Sequence, residues 1–361
     1  MKRAIHFLLS LIIMIFAISL IQQDKAFSSS LRDTMIAQAK KEKQLVIGGG
    51  NADETRDELV NFRKMYPFIA MKAIVANTAS TINRIVAESR AGRMSTDLVS
   101  VGTDALEMLT EEKLLQKMEF PHLKDFPAET QPHHGYYVQA FYNPRVQGAY
   151  NTDLVPPNEV PRSWEDMVDP KWKDKTMISS TVDELPARLA WLWRGKDGKW
   201  DWERSFDFFR KLEKHKPLLA SGMRGGINRL AAGETAIFWF PAIGAPARLH
   251  FSGAPVGLFA FPKIIGPFRS FGISKGAPNP ASAWLYLDYL TSPQGQYDYT
   301  ELVAATLPAN KKAKPGKLAR WVMSQGGTLE NIVPLSYADL VHSKADAKKS
   351  ADFFFEIMGI R

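Results

Sequence analysis

The pattern of apolar and polar positions alternates between short apolar runs and longer amphipathic stretches. Residues Gln44–Gly48 form an apolar run that ends in glycines, which predicts a buried strand. The stretch Asp53–Tyr66 then carries apolar residues at helical spacing among charged ones, and Pro67 ends it. The same order of strand, turn and helix recurs twice before Leu115. Such a repeat favours a parallel sheet with crossover helices.

The second and third strand–turn–helix units are followed by further predicted strands and helices. The predicted strands of these units and of the rest of the chain are 71–75, 96–101, 136–142, 146–150, 176–180, 235–240 and 256–261. The predicted helices are 31–43, 82–91, a helix ending at 115, 187–193, 202–214, 227–232, 281–290 and the terminal helices within 338–358. In the helix 202–214, the pattern predicts that Phe206, Phe209 and Leu212 face the core.

The amino terminus has the order of a secretory signal peptide. Lys2 and Arg3 precede an uncharged apolar run, Phe7–Ile21, and small residues around Ala26 and Ser28 follow. The alternative is an uncleaved membrane anchor, but the run is shorter than the ~20 residues of a comfortable span. We therefore expect residues 1–28 to be removed and the mature chain to be exported.

Composition narrows the class of protein further. The 361 residues are 45% hydrophobic and 23% charged, which indicates a globular chain long enough for two lobes. The absence of cysteine excludes disulfides, thiolate metal sites and a cysteine nucleophile. The net charge of +8 is compatible with nucleic acid, an anionic membrane surface or an anionic ligand. The lysines and arginines are scattered, without a basic face that carries stacking aromatics, so we do not expect nucleic-acid binding.

Catalytic motifs do not emerge from the sequence. It contains no G-x-S-x-G elbow, no H-E-x-x-H pair and no P-loop. The glycines 48–50 do not form a dinucleotide fingerprint, and His133 and His134 would point to opposite faces of an extended segment instead of sharing a metal. We expect a protein that is not an enzyme and that needs no cofactor or metal. A secreted α/β hydrolase is the alternative from another class.

Several stretches, in this order, resemble the periplasmic solute-binding proteins of ABC importers. They are Leu45–Gly49 with Phe62-Arg-Lys-Met-Tyr-Pro67, Thr78–Thr81 with Ser95–Ser100, Tyr150–Thr152 with Pro161–Asp166 and Asp169–Lys173, and Ala232–Glu234, Gly253–Val256 and Gly272–Pro280 with Ser292–Gln296. The third group is the most specific. The nearest type looks like the ferric-iron-binding group, which also includes receptors for phosphonates, thiamine and polyamines.

The resemblance implies a type II periplasmic-binding fold of class α/β. It has two lobes, each a mixed, mostly parallel sheet flanked by helices, joined by two crossing strands. Lobe 1 would hold residues 29–145 and 268–300, and lobe 2 residues 146–267 and 301–361. The implied role is the periplasmic substrate-binding component of an ABC transporter, a monomer that delivers a small-molecule ligand to an inner-membrane permease. A ligand-sensing subunit that reports to a membrane receptor would have the same sequence features.

In such a fold the ligand contacts the turns after the strands, where helix N-termini present free N–H groups. Hydroxyls and helix N-termini suit an anion, and arginine adds a bidentate partner. The candidate ligand-binding residues are Asn51, Thr78, Ser80, Thr81, Thr103, Arg145, Ser180, Arg224 and Trp239. The alternatives are helix capping for the serines and threonines, surface ion pairs for the arginines, and a core position for Trp239.

The residues of this chain do not match the ferric-ion site that the nearest type of this family would suggest. The iron-binding members of the family use two adjacent tyrosines late in the second lobe, whereas this chain has Phe238, Trp239 and Phe240 in that region. Phenolate oxygens suit ferric ion, and their absence at this place argues against it. We therefore expect an organic anion, such as a carboxylate or a phosphonate, with ferric iron as the alternative.

Overall fold

The computed structural model describes residues 30–50, 59–130, 135–335 and 344–360. The predicted signal peptide, the candidate ligand residue Asn51 and the histidine pair at 133–134 lie outside these ranges. Over the described ranges, we find no helix with the length and apolarity needed to cross a bilayer.

The structure places a strand or a helix close to most of the predicted positions. The strands are β1 Gln44–Gly49, β2 Ala70–Val75, β3 Leu98–Gly102, β4 Tyr137–Tyr142, β5 Gly148–Asn151, β6 Thr176–Ser179, β7 Leu218–Ala220, β8 Ile237–Trp239, β9 Val256–Phe259, β10 Ile264–Gly266, β11 Phe268–Ile273, β12 Leu307–Pro308 and β13 Ile332–Pro334. The helices are α1 (30–42), α2 Val60–Met65, α3 Thr78–Arg90, α4 Thr103–Glu111, α5 Trp164–Met167, α6 Leu185–Leu192, α7 Trp202–Glu213, α8 Met223–Ala231, α9 Gly244–Phe251, α10 Pro280–Thr291, α11 Pro293–Asp298, α12 Lys317–Ser324 and α13 Lys344–Ile357. Single turns of other helix types occur at Pro121–Asp125, Ala128–Thr130, Pro170–Trp172, Leu329–Asn331 and, as a π-helix, Tyr299–Val303.

The first sheet combines a parallel half with an antiparallel half. Its order among the described residues is β12-β4-β11-β3-β1-β2, in which β2, β1 and β3 run parallel and β11, β4 and β12 pair antiparallel. The parallel half follows from the predicted strand–helix units, because a parallel neighbour requires a crossover. The strand β11 comes from far along the chain and inserts between β3 and β4.

The second sheet repeats this plan. Its order is β7-β6-β8-β5-β9, with β7, β6 and β8 parallel and β5 antiparallel to both of its neighbours. Both sheets are therefore mixed and flanked by helices, as expected for the α/β class. Two segments that run between the sheets, around residues 143–147 and 264–267, are hydrogen-bonded to each other. The N–H of Asn143 donates to the carbonyl of Pro267 and that of Arg145 to the carbonyl of Ile265, both at 2.8 Å.

The lobe boundaries stay predictions, but two elements of the C-terminal part can be located. Strand β12 lies at the edge of the first sheet, where it pairs with β4, although the sequence assigned residues 301–361 to lobe 2. Helix α13 packs against α6 and α7 beside the second sheet. The C-terminal region thus contacts both lobes.

Candidate functional site

A cleft of about 430 Å³ lies between the two sheets, beside the two crossing segments. One wall comes from the carboxyl ends of β1 and β3 and the start of α3 and α4, and the other comes from α6 and the turn after β8. The described residues that line it are Gly50, Thr78, Ser100, Val101, Gly102, Thr103, Asp104, Asn143, Arg145, Arg188, Ala242, Pro267, Phe268 and Arg269.

Two arginines at this cleft have buried nitrogen atoms without a hydrogen-bond partner. Arg145 lies in the first crossing segment, and its Nε is buried without a hydrogen bond, as is Nη1 of Arg188 on α6. The nearest carboxylate is that of Glu184, whose Oε1 is 3.5 Å from Nη1 of Arg188. Burial lowers the pKa of Arg145. The charge of Glu184 offsets part of this lowering, and the charge of Arg188 lowers the pKa further. The two guanidinium groups are therefore close enough to repel each other.

Arg269 also lines the cleft, but its guanidinium has a different environment. The guanidinium carbon lies 5.8 Å from the centre of the Tyr299 ring. Phe271, two residues along β11, contacts the same ring. Since residues two apart on a strand share a face, the Arg269 side chain lies on the face of β11 that packs against the hydrophobic core of the first sheet, which contains Phe271 and Tyr299.

The wall from the first sheet supplies hydroxyls and glycines. Ser100 on β3 is only 4% exposed and its Oγ is buried without a partner. Thr78, the first residue of α3, is exposed at the cleft. The Thr103 side chain is 2% exposed and its hydroxyl hydrogen-bonds Ser270 Oγ at 2.9 Å, so its oxygen is already paired.

Asp104 is the one carboxylate among the described lining residues. It is exposed in the first turn of α4, whose N-cap, Gly102, has no side chain to cap the helix. The Asp104 carboxylate lies over that glycine, because a Cβ atom at position 102 would be 2.6 Å from Asp104 Oδ1. A carboxylate here neutralises the positive end of the helix dipole.

The predicted ligand residues divide into those at the cleft and those elsewhere. Thr78, Thr103 and Arg145 line the cleft. Ser80 and Thr81 lie in the first turn of α3, and both bond to its N-cap residue, Asn77. The Ser80 N–H donates to Asn77 Oδ1 at 2.8 Å, and the Thr81 hydroxyl donates to the Asn77 carbonyl at 2.9 Å.

The remaining candidates lie away from the lining. The Ser180 hydroxyl donates to the carbonyl of Ala220 at 3.1 Å. Arg224 is exposed at the start of α8. Trp239 is 0% exposed and packs edge-on against Phe259 in the hydrophobic core of the second sheet. Its position therefore supports a core role, which the sequence left open as the alternative to ligand binding.

Sequence reasoning missed Arg188, Asp104 and Ser100. A search confined to turns after strands passes over residues inside helices and strands. For Arg188 a signal existed, because it is the only charged residue in the helix Leu185–Leu192. A single charge in an apolar helix needs a partner or a water-filled space. The described lining residues include no tyrosine or histidine for a ferric site, and within the described ranges no three His, Asp or Glu side chains converge on a possible metal position.

Residues 59–323 match the family described as bacterial extracellular solute-binding protein, and the chain belongs to that family. An uncharacterized protein of Haemophilus influenzae is 28% identical over 182 residues, or 47% of this chain. The match covers 49% of that protein, so the chain spans about half the length of this relative.

Solved structures share the fold at low sequence identity. Iron-bound HitA from Pseudomonas aeruginosa is 17% identical with a TM-score of 0.68 over 87% of this chain and 99% of that one. AfuA from Actinobacillus pleuropneumoniae, with bound fructose-6-phosphate, is 18% identical with a TM-score of 0.67 over 88% and 99%. An ABC-transporter substrate-binding protein from Agrobacterium tumefaciens is 14% identical with a TM-score of 0.73 over 88% and 94%. The fold is that of the type II periplasmic binding proteins, as the sequence predicted.

Proposed function

We propose that this chain is the substrate-binding component of a bacterial ABC importer and that it captures a small organic anion in the interlobe cleft. The observation that carries the proposal is that two buried guanidinium nitrogens at one cleft, Nε of Arg145 and Nη1 of Arg188, have no hydrogen bond, although the second is in an ion pair with Glu184 at 3.5 Å. Buried polar groups in folded proteins nearly always have a partner, and an unpaired one costs ~1–3 kcal/mol. An anion bound here would satisfy both donors and screen the repulsion between the guanidinium groups.

Two of the similar structures hold an organic anion, whereas HitA is iron-bound. AfuA holds fructose-6-phosphate, and a Trichodesmium protein with a TM-score of 0.63 holds iron and citrate. An organic anion is common to both. A site for ferric ion alone is less well supported, because the described lining lacks tyrosine and its cations would repel the metal.

A hydrolase is not favoured by the same lining. Ser100 is the one serine among the described lining residues, and no histidine accompanies it there to act as a base. Nucleophilic catalysis by serine needs a base within hydrogen-bond reach. We propose instead a periplasmic monomer that closes its lobes on the anion and presents the closed form to a permease.

The test is to identify the ligand directly. Mass spectrometry of the small molecules released by denaturing freshly purified protein should find an organic anion. Isothermal titration with a panel of carboxylates, phosphonates and ferric citrate should give saturable binding of at least one metal-free anion. Tight binding of ferric ion with no organic ligand retained would overturn the proposal.

A further inference from the structure

Apart from Arg269, whose guanidinium lies over the Tyr299 ring, the charged residues that line the cleft lie on two different walls. Arg145 and Arg188 lie on the side of the first crossing segment and α6, and Asp104 lies at the start of α4 on the other wall. No described lysine, arginine or histidine forms an ion pair with Asp104. Its carboxylate is exposed to the cleft, whereas Glu184 is already beside Arg188 at 3.5 Å. Asp104 is therefore the free negative group of the site.

This carboxylate changes what the α4 N-terminus can bind. A helix start without a capping side chain ordinarily attracts an anion through its free N–H groups. Here the Asp104 carboxylate lies directly over Gly102, at the position that such an anion would take. A ligand oxyanion at this end would meet like charge, whereas a cation would meet an unpaired carboxylate.

The cleft has a third buried polar atom without a hydrogen-bond partner. Ser100 Oγ is buried on β3 and lines the same cleft. A hydroxyl can donate to or accept from a ligand, so it adds no charge preference of its own. It does indicate that the wall formed by the end of β3 and the start of α4, which also carries Asp104, is part of the binding site, because an unpaired buried hydroxyl is otherwise unfavourable.

We propose that the ligand is a zwitterion, with its anionic group on Arg145 and Arg188 and an ammonium group on Asp104. The inference rests on the proposed anion-binding function and adds the second charge of the ligand. One opposite charge at each end also gives specificity, because an anion without the ammonium leaves Asp104 unpaired and a dianion places a charge against it.

The test compares matched ligands that differ only in the amine. Isothermal titration would use propionate against β-alanine, butyrate against γ-aminobutyrate, and propylphosphonate against 3-aminopropylphosphonate. We expect the amine to strengthen binding at least ~10-fold in one or more pairs, the effect of one well-formed ionic contact. In the Asp104→Asn variant this gain should fall to about twofold or less, while the amine-free anion binds as well as before or better.

The matched control is Asp33→Asn, which makes the same chemical change at an exposed position of α1 in the same lobe. It should keep the full gain from the amine. If the panel anions bind but the amine gives no gain in any pair, or if the gain survives in Asp104→Asn, the zwitterion assignment is wrong and the anion-binding function stands. If neither these ligands nor any panel anion binds, the proposed function itself fails.

Discussion

The buried charged side chains of two regions differ in their hydrogen-bond partners. One region surrounds the first sheet, and the other is the side of the cleft that carries Arg145 and Arg188. The first region holds Asp97, Glu107, Asp288 and Asp298, all at most 6% exposed. Each accepts at least one hydrogen bond from a neighbouring group, although the second oxygen of Asp288, Oδ1, accepts none and lies 3.7 Å from Nε2 of His122. Asp97, for example, accepts from the N–H of Val46 at 2.7 Å and from the backbone and side chain of Asn279 at 2.8 and 2.9 Å.

The second region has buried charge without such partners. Arg145 Nε and Arg188 Nη1 lack any hydrogen bond, and Nη1 of Arg188 faces the Glu184 carboxylate only at an ion-pair distance of 3.5 Å. A buried charge with a full set of partners stabilises the fold, whereas one without them costs stability until something binds it. The comparison therefore separates structural from ligand-binding charges, and each prediction below tests one side of it.

The largest effect is expected for a fully partnered carboxylate. Asp97→Ala leaves three donors without an acceptor, so we expect the free energy of unfolding to fall by ~3 kcal/mol in urea titrations. Asp33→Ala, at an exposed position, should change it by less than about 0.5 kcal/mol. Unchanged stability in Asp97→Ala would contradict the structural role of this network.

For Arg145 we expect a loss of ligand affinity without a loss of stability. In Arg145→Met the affinity for the tightest-binding panel anion should fall ~100-fold, or about 2.7 kcal/mol, by isothermal titration. The ligand-free protein should be as stable as wild type or more stable, because the buried cation is gone. A loss of stability with unchanged affinity would instead assign Arg145 to the structural group.

A smaller loss of binding is expected for Arg188, which already has a nearby carboxylate. Arg188→Gln should weaken binding of the same anion ~10-fold in isothermal titration. The control is Arg229→Gln, which removes an arginine paired at 2.7 Å with Glu234 on the surface of α8. The control should change affinity less than about twofold. Equal effects of the two variants would remove Arg188 from the site.

The smallest effect is expected at Glu184, and in the opposite direction. Its carboxylate lies 3.5 Å from Arg188 and competes with a bound anion. Glu184→Gln should therefore tighten binding by about two- to threefold. Glu165→Gln, an exposed substitution on α5, should have no measurable effect. Weaker binding in Glu184→Gln would mean that this carboxylate orients Arg188 instead of competing for it.

Much of the fold was predictable from local pattern, and the misses have physical causes. Strands β1, β2 and β3 and their helices were found because each unit carries its own periodicity and turn residues. Strand β11, Phe268–Ile273, was not predicted, because Arg269 and Ser270 interrupt its apolar run. Its identity as a strand depends on pairing with β3 and β4, which lie more than a hundred residues away.

Side-chain direction shows the same limit within one helix. The pattern placed Phe206 inward on α7, but Phe206 is partly exposed and stacks on Phe353 with ring centres 3.8 Å apart. Phe208 is buried instead, together with Phe209 and Leu212. Three phenylalanines in four residues cannot all face the core, and the position of α13 decides which one does not.

By itself the sequence determined the α/β class and the family, because strand–helix periodicity and short ordered motifs are local properties of the chain. Only the tertiary structure decided which charges meet at the cleft. Arg145 lies there because its strand segment pairs with Ile265, and Arg188 because α6 turns that side of an apolar helix toward the cleft. Arg224 was an equal candidate in sequence, yet it lies outside the lining, since distance between side chains is set by long-range packing and not by neighbouring residues.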